Sequence, residues 1–490
     1  MNINYVSSEV VPFSKTGGLA DVAGALPNEI AGLGHSVSVF TPYYRCVKKL
    51  EPRSKLIGEG VVPVGAEQVP WTLHVSSKAT GAAKVYFIGC DAYFDREFLY
   101  GTARGDYEDS CSRFVFFSRA CIAAAEHLNK PVDVWHCHDW QTALIPIYLK
   151  ILFKDNPFHA GTSTVFTVHN LAYQGLFWHW DWPLLNLPWQ HFNWRELEFH
   201  GKMNLMKGAL VHSDLLTTVS PTYAEEIRTA QFGCGLEGVL KDRADELVGI
   251  VNGIDTIAWN PSHDVLLPAE YSTANLQGKQ TCKEVLRRKF DLPETSSAVV
   301  GMIGRLFEQK GFDLVAQGIE ELLRRDIQLI ILGTGREEYQ KLLQRMQQTN
   351  PKKIAVAFAF DNGLAHLIEA GSDIFLMPSR YEPCGMNQLY SLAYGTPPIV
   401  RRVGGLADTV ADTTPATLAA GTASGFAFND YSSAALLECL DRALKIYFND
   451  PPAWRKIQLT GMREDWSWNS SGRKYVHVYE RACAKRKPKK

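Results

Sequence analysis

Short runs of β-branched and apolar residues alternate with stretches of helical spacing along almost the whole chain, and that alternation leaves few folds open. The runs fall at 3–6, 37–41, 85–88, 132–136, 163–168, 215–219 and 247–251, and a second series follows at 299–303, 328–332, 354–358, 374–377 and 398–400. A strand that gives way to a helix before the next strand pairs with it in parallel, because parallel neighbours need a crossover of roughly a dozen residues. The pattern predicts an α/β protein of two Rossmann-like, doubly wound domains facing across a cleft.

The division is expected near Asn252-Gly253-Ile254-Asp255, since residues 259–277 lose all period and carry Pro261 and Pro268. Domains are expected at 1–250 and 251–461, with 462–490, helical in spacing from Ser471 to Ala484, crossing back to the first and forming a hinge. A length of 490 residues accommodates two or three such cores. Lys+Arg 51 against Asp+Glu 52 gives a net charge of -1, so no global field draws this chain to nucleic acid or anionic lipid, and neither is expected as a partner. No run approaches the roughly 18 to 20 apolar residues of a membrane span; the best, 115–125, is broken by Arg119. The 10 cysteines form no Cys-x-x-Cys pair and the first residues show no leader pattern, so a reducing, cytoplasmic setting is expected. The basic end, Lys485, Arg486, Lys487, Lys489 and Lys490, reads as a solvated tail.

One five-residue sequence occurs twice: Gly17-Gly18-Leu19-Ala20-Asp21 and Gly404-Gly405-Leu406-Ala407-Asp408, each expected after a strand and at the start of a helix. Glycine turns at helix N-termini offer backbone N–H groups to an anion and let a ligand approach the main chain. Lys15 stands beside the first. Arg305 and Lys310 lie five residues apart in a loop after a predicted strand, within reach of one anion. Arg380-Tyr381-Glu382-Pro383-Cys384-Gly385 places a carboxylate, a thiol and a sharp turn at another strand's carboxyl end, where open α/β sheets bind ligands. The backbone of Cys384 and Gly385 suits a sugar hydroxyl.

No G-x-G-x-x-G follows any strand; Gly333-Thr334-Gly335 is a fragment with Glu338 where the third glycine belongs, which excludes a nicotinamide oxidoreductase. His136-Cys137-His138-Asp139-Trp140 alternates across a strand end and so points its side chains to opposite faces, against a metal site. The chain has no Asp-x-Asp pair to bridge a divalent ion to a diphosphate. No metal and no cofactor are expected, and lysine and arginine must neutralise any phosphate.

The segments Lys15 to Val22, His138-Asp139-Trp140, Phe166-Thr167-Val168-His169-Asn170-Leu171-Ala172-Tyr173-Gln174-Gly175, Val251 to Asp255, Arg305 to Gly311, Pro378 to Gly385 and Gly404 to Asp408 together resemble the bacterial glycogen synthase and plant starch synthase family. The resemblance runs over nearly the whole chain. It implies the two-domain B-type glycosyltransferase fold and retaining transfer of glucose from ADP-glucose to the non-reducing end of an α-1,4-glucan, in cytoplasm, plastid stroma or on granules. It also implies that Lys15, Gly17, Gly18, Arg305 and Lys310 hold the diphosphate. His169, Asn252, Glu382, Cys384 and Gly385 would surround the donor glucose, and Phe360 stands where the family places a tyrosine against adenine. Met386-Asn387 replaces a usual Leu-Thr, and Gln141 a histidine of some bacterial members, so UDP-glucose stays open as a donor.

Transfer builds negative charge on the departing phosphate, so Arg305 and Lys310 gain in the transition state over the ground state. For retention the motifs offer two carboxylates, Asp139 and Glu382, and leave covalent displacement and same-face attack both open. A phosphorylase is disfavoured for want of a pyridoxal lysine motif. A catalytically dead glucan-binding protein would show a broken cation set, and here the set is whole. Trp178, Trp180, Trp182, Trp189 and Trp194 are five of the chain's 12 tryptophans. If 178–182 is extended, alternate rings share a face on which glucan stacks, which makes Trp178 and Trp180 acceptor-side residues.

Overall fold

The computed structural model describes residues 1–78, 81–102 and 104–486. They group into two compact units, one within residues 1–219, 224–253 and 468–486, the other of 220–223 and 254–467. The junctions lie at Gly253/Ile254 and Ser467/Trp468, three and six residues beyond the sequence expectation.

The first unit holds a nine-stranded sheet in the order Leu247–Gly249, Leu215–Thr218, Ser163–Val168, Val134–His138, Asn2–Val6, Ser36–Pro42, Lys84–Gly89, Glu67–Val75, Lys55–Val64. Seven strands are parallel and correspond to the seven apolar runs. The last two form an antiparallel hairpin on the sheet edge, turning at Gly65, which the sequence pattern did not reveal. Its strands carry Gly58, Gly60, Pro63 and Pro70 and each begins with two exposed residues, the composition of an edge. From Asn2–Val6 the sheet grows first one way and later the other, so the order reverses between that strand and Val134–His138.

Helix Trp468–Arg486 belongs to this unit. Its buried face, Trp468, Ser471, Gly472, Tyr475, Val478, Tyr479 and Ala482, repeats at helical spacing. That face is tied to the sheet by Tyr479, whose hydroxyl lies 2.8 Å from His136 Nδ1, and by Ser163 Oγ, which donates to the Ala482 carbonyl at 3.1 Å. Asn469 Nδ2 donates to Glu29 on helix Gly18–Gly32 at 3.0 Å. Two residues of the expected solvated tail are in fact anchored: Lys485 Nζ donates to the Asp214 carbonyl at 3.0 Å and pairs with Glu246, while Arg486 meets Asp214 at 3.2 Å. Lys487, Lys489 and Lys490 lie outside the described residues.

The apolar run 115–125 sits in helix Ser110–Leu128, buried on nearly every side. Two arginines are buried with it and donate to carbonyls, Arg113 to Tyr93 and Leu99, Arg119 to Leu185. This is a core helix; among the described residues no helix is long and apolar enough to cross a membrane.

The second unit holds six parallel strands in the order Ile354–Ala357, Ile327–Leu332, Ala298–Ile303, Ile374–Met377, Pro398–Arg401, Phe426–Phe428. Both faces are covered, which is why these strands read as unbroken apolar runs. Here the order reverses between Ala298–Ile303 and Ile374–Met377. The aperiodic stretch after Ile254 is no loose connector. Trp259 is stacked between His366 and Tyr390, with ring centroids 3.7 Å away on each side, and buried Asp264 accepts from His366 Nδ1 at 2.7 Å and from the Tyr394 hydroxyl.

Candidate active site

Loops that follow parallel strands gather at the sheet's carboxyl edge, and the reversal point leaves a crevice there because its two flanking loops depart in opposite directions. In the second unit the flanking loops carry Arg305 to Gly311 and Pro378 to Gly385. Lys310 closes the single turn Glu308–Lys310, and its Nζ lies 2.6 Å from Glu382 Oε2. Glu382 is buried and also accepts from Ser379 Oγ at 3.1 Å. The loops are pinned together by Arg380 N–H, which donates to the Gln309 carbonyl at 2.9 Å. Gly311 is required between them: its φ is +76°, and a Cβ there would stand 2.1 Å from the Pro378 carbonyl oxygen.

Asn387, one of the departures from the family pattern, donates through Nδ2 to the Ile303 carbonyl at 2.9 Å and so ties the Cys384-Gly385 turn to the strand that launches Arg305. Cys384 is buried, and its carbonyl and that of Gly385 accept from Gln388 Nε2 at 3.0 and 3.2 Å. Arg305 is exposed and, among the described residues, makes no ion pair; its guanidinium lies 5.9 Å from the Phe307 ring centre. Phe360, 90% exposed, stands after the strand Ile354–Ala357, on the same edge.

The second glycine turn does not do what the sequence suggested. Helix Gly404–Thr409 is a six-residue stub, and the Gly405 N–H donates to the Glu382 and Pro383 carbonyls at 3.1 Å each. Gly404, at φ +45°, lies so close that a Cβ would sit 1.9 Å from the Glu382 carbonyl oxygen. This turn buttresses the Glu382 loop instead of offering amides to an anion.

In the first unit the reversal point is flanked by the loop from Ser7 to Gly17 and by Asp139. Buried Glu9 organises the glycine turn: its carboxylate accepts from the Thr16 N–H, from Gly17 N–H at 3.3 Å, from Thr16 Oγ1 at 2.6 Å and from the Tyr100 hydroxyl at 2.7 Å. The Gly17 amide is therefore already occupied. The helix that opens at Gly18 has no side-chain cap, so its first amides remain for an anion. Lys15 pairs with Asp21 at 2.7 Å and is part exposed.

Asp139 and His169 follow adjacent strands and meet. Asp139 has left the strand at φ +55°, and its Oδ1 accepts from the His169 N–H at 2.8 Å. Burial pushes the Asp139 carboxyl up to about 7, against the pull of the His169 and Asn170 amides and helped by Glu9. The neighbouring His138 reaches the same residue from the other side, Nδ1 to His169 Nε2 at 3.0 Å. The strand alternation invoked from sequence thus ends at His138. Buried Asn252 follows the edge strand Leu247–Gly249, and its Oδ1 has no hydrogen-bond partner among the described residues.

The tryptophan stretch also departs from expectation. Only Leu176–Trp178 is extended, and His179–Leu185 coils as a 3-10 helix. Trp178 and Trp180 are 63% and 74% exposed, whereas Trp182 is buried against Trp189 and Phe192.

Sequence reasoning missed Glu9, Tyr100 and Ser379, and passed over His138 as a failed metal ligand. The one readable signal was Glu9, an acid in the short loop ahead of a helix N-terminus.

Two doubly wound units whose switch-point loops carry cations and glycine turns are the architecture of a glycosyltransferase. Residues 2–242 match the starch synthase catalytic domain family, and residues 283–457 match glycosyl transferases group 1. The chain is 47% identical over 488 residues to a glycogen synthase of Koribacter versatilis, covering 100% of this chain and 99% of that one. It is also 47% identical over 486 residues to a glycogen synthase of an Anaeromyxobacter species, covering 99% and 100%. Among solved structures it superposes on the catalytic domain of starch synthase IV from Arabidopsis thaliana, bound to ADP and acarbose, with a TM-score of 0.88 at 30% identity over 98% of this chain and 99% of that chain. Sucrose-phosphate synthase from Thermosynechococcus elongatus, at 16% identity and a TM-score of 0.60, shares the fold. The chain belongs to the glycogen and starch synthase family of glucosyltransferases.

Proposed function

We propose that this chain transfers glucose from ADP-glucose to the non-reducing end of an α-1,4-glucan, with retention, without a metal ion or cofactor, in the cytoplasm or plastid. The observation that carries the reading is the second unit's cation set: Arg305 and Lys310 on one loop flanking the strand reversal, Lys310 paired to Glu382 on the other, and Arg305 without an ion pair among the described residues. In the reaction the glucosyl C1–O bond to the diphosphate breaks and the acceptor O4 bonds to C1. The O4 proton passes to the departing diphosphate. Arg305 and Lys310 stabilise the charge that builds on that group. Cys384 and Gly385 offer backbone to the sugar, and exposed Phe360 is placed for the base.

Both candidate nucleophiles are engaged, Glu382 with Lys310 and Ser379, Asp139 with the His169 amide. That favours same-face attack assisted by the leaving group over a covalent glucosyl intermediate. In the first unit Lys15 and the amides after Gly17 bind substrate anion, His169 and Asn252 bind sugar, and exposed Trp178 and Trp180 stack the glucan. The test incubates the chain with glycogen and ADP-glucose, UDP-glucose or GDP-glucose, with and without a chelator, and measures released nucleotide. ADP release that survives chelation supports the reading; preferential UDP release, or loss on chelation, replaces it.

A further inference from the structure

We propose that His138 is a positioning residue for glucosyl transfer, fixing the proton of His169 on Nδ1 so that this ring offers substrate an N–H donor and not a lone pair. The inference rests on the reading of His169 as a substrate contact and deepens it by naming what that contact recognises: an oxygen acceptor such as a sugar hydroxyl.

The argument is one of proton accounting. His138 is fully buried, on the last residue of strand Val134–His138, with the Tyr5 ring centre 4.2 Å and the His136 ring centre 4.0 Å away. Its Nδ1 lies 3.0 Å from His169 Nε2, and its Nε2 is buried with no hydrogen-bond partner among the described residues. Burial holds His138 well below its ordinary value and lowers His169 to about 3, so near neutral pH each ring carries one proton. Two arrangements then satisfy the contact. If His169 Nε2–H donates, His138 must carry its own proton on Nε2, an N–H sealed in the core without an acceptor. If His138 Nδ1–H donates, only a bare lone pair is left unmatched there, and the His169 proton sits on Nδ1. Buried orphan donors are the rarer and more costly of the two. The second arrangement therefore holds.

The same residue is gripped twice, since the adjoining Asp139 takes the His169 main-chain N–H. Backbone and ring are set independently by consecutive side chains. The remaining ring nitrogen, Nδ1 of His169, makes no bond to any described residue, and the ring is only partly buried.

The experiment labels histidine rings with 13C and 15N in the full chain and reads the His169 tautomer from its ring shifts, assigned by loss of the signal in His169→Gln. The expected result is Nδ1–H in the wild type. His138→Phe keeps the bulk and removes the donor; it should give mixed tautomers and lower kcat about 10- to 100-fold, with the KM for ADP-glucose moved far less. His138→Asn, whose amide nitrogen occupies the place of Nδ1, should restore Nδ1–H and most of kcat, which a role in packing alone would not do. An Nε2–H tautomer in the wild type overturns the proposal, as does His138→Phe with unchanged tautomer and rate. Full activity in His169→Gln overturns the reading of His169 as a substrate contact and with it the part in transfer, while the tautomer measurement still judges the proton assignment separately.

Discussion

Lys310 and Glu382, 72 residues apart in sequence, meet at 2.6 Å where the strand order of the second unit reverses. The carboxylate is buried and the ammonium part exposed, so the lysine is placed to serve a second anion without abandoning the first.

Replacing Lys310 by alanine should lower kcat on the order of 100- to 1000-fold, the effect of removing one preorganised transition-state charge contact. It should also cost about 2 kcal/mol of stability, since Glu382 is left buried without its cation and Lys310 is itself not fully buried. Arg305→Ala, which breaks no ion pair, should lose similar turnover and almost no stability. Steady-state kinetics and urea unfolding of both variants check this; adding Glu382→Gln to Lys310→Ala should return part of the stability and none of the rate.

Gly311→Ala should destabilise the protein by about 2 kcal/mol or more, because alanine is strained at φ +76° and its methyl would collide with the Pro378 carbonyl. The loops of Lys310 and Glu382 would be forced apart, so kcat should fall with the melting temperature. A variant that melts early yet turns over normally would show that the two loops act separately.

Trp178→Ala and Trp180→Ala should raise the KM for glycogen and leave that for ADP-glucose and the melting temperature nearly unchanged, both rings being largely exposed. Trp182→Ala is the contrast: it empties a packed site and should cost about 3 to 5 kcal/mol. Equal rises in both KM values would remove the stacking role.

Asp139 imposes a pH dependence of defined sign. Its folded-state value of about 7 lies above the ordinary 3.8, so the native state keeps a proton that the unfolded chain has released. The associated stabilisation is complete below about pH 4, declines as pH rises, and is gone above about 7. Asp139→Asn has no such term. Wild-type stability relative to this variant, from urea titrations at pH 5 and pH 8, should be lower at pH 8.

Most of both sheets was legible because buried parallel strands advertise themselves as apolar runs between helical segments, although the three-residue edge strand Phe426–Phe428 was too short to stand out. The edge hairpin Lys55–Val64 with Glu67–Val75 was not: glycines and prolines break up any apolar run, and the alternation of Val69, Trp71 and Leu73 with Pro70, Thr72 and His74 went unread. Arg305, Lys310 and Glu382 stood out as charges beside glycine turns, but nothing local could say that Lys310 and Glu382 pair. The opposite error came at Gly404-Gly405, where identity with the first glycine turn suggested the same use. Tertiary packing had already committed that amide to Glu382 and Pro383. His138 was invisible as a partner of His169 because a 31-residue separation becomes adjacency only when their strands lie side by side.

Helix Trp468–Arg486 gives this chain an unusual order of assembly. Its Tyr475 and Tyr479 lie fully inside the first unit, against the rings of His136, yet they leave the ribosome after every residue of the second unit. During synthesis the N-terminal sheet must wait with that face uncovered while an entire domain emerges and folds between its pieces. The nascent chain therefore carries an exposed apolar surface for about 220 residues, at the roughly 5 to 20 residues per second of translation, and that interval is when it most needs a chaperone.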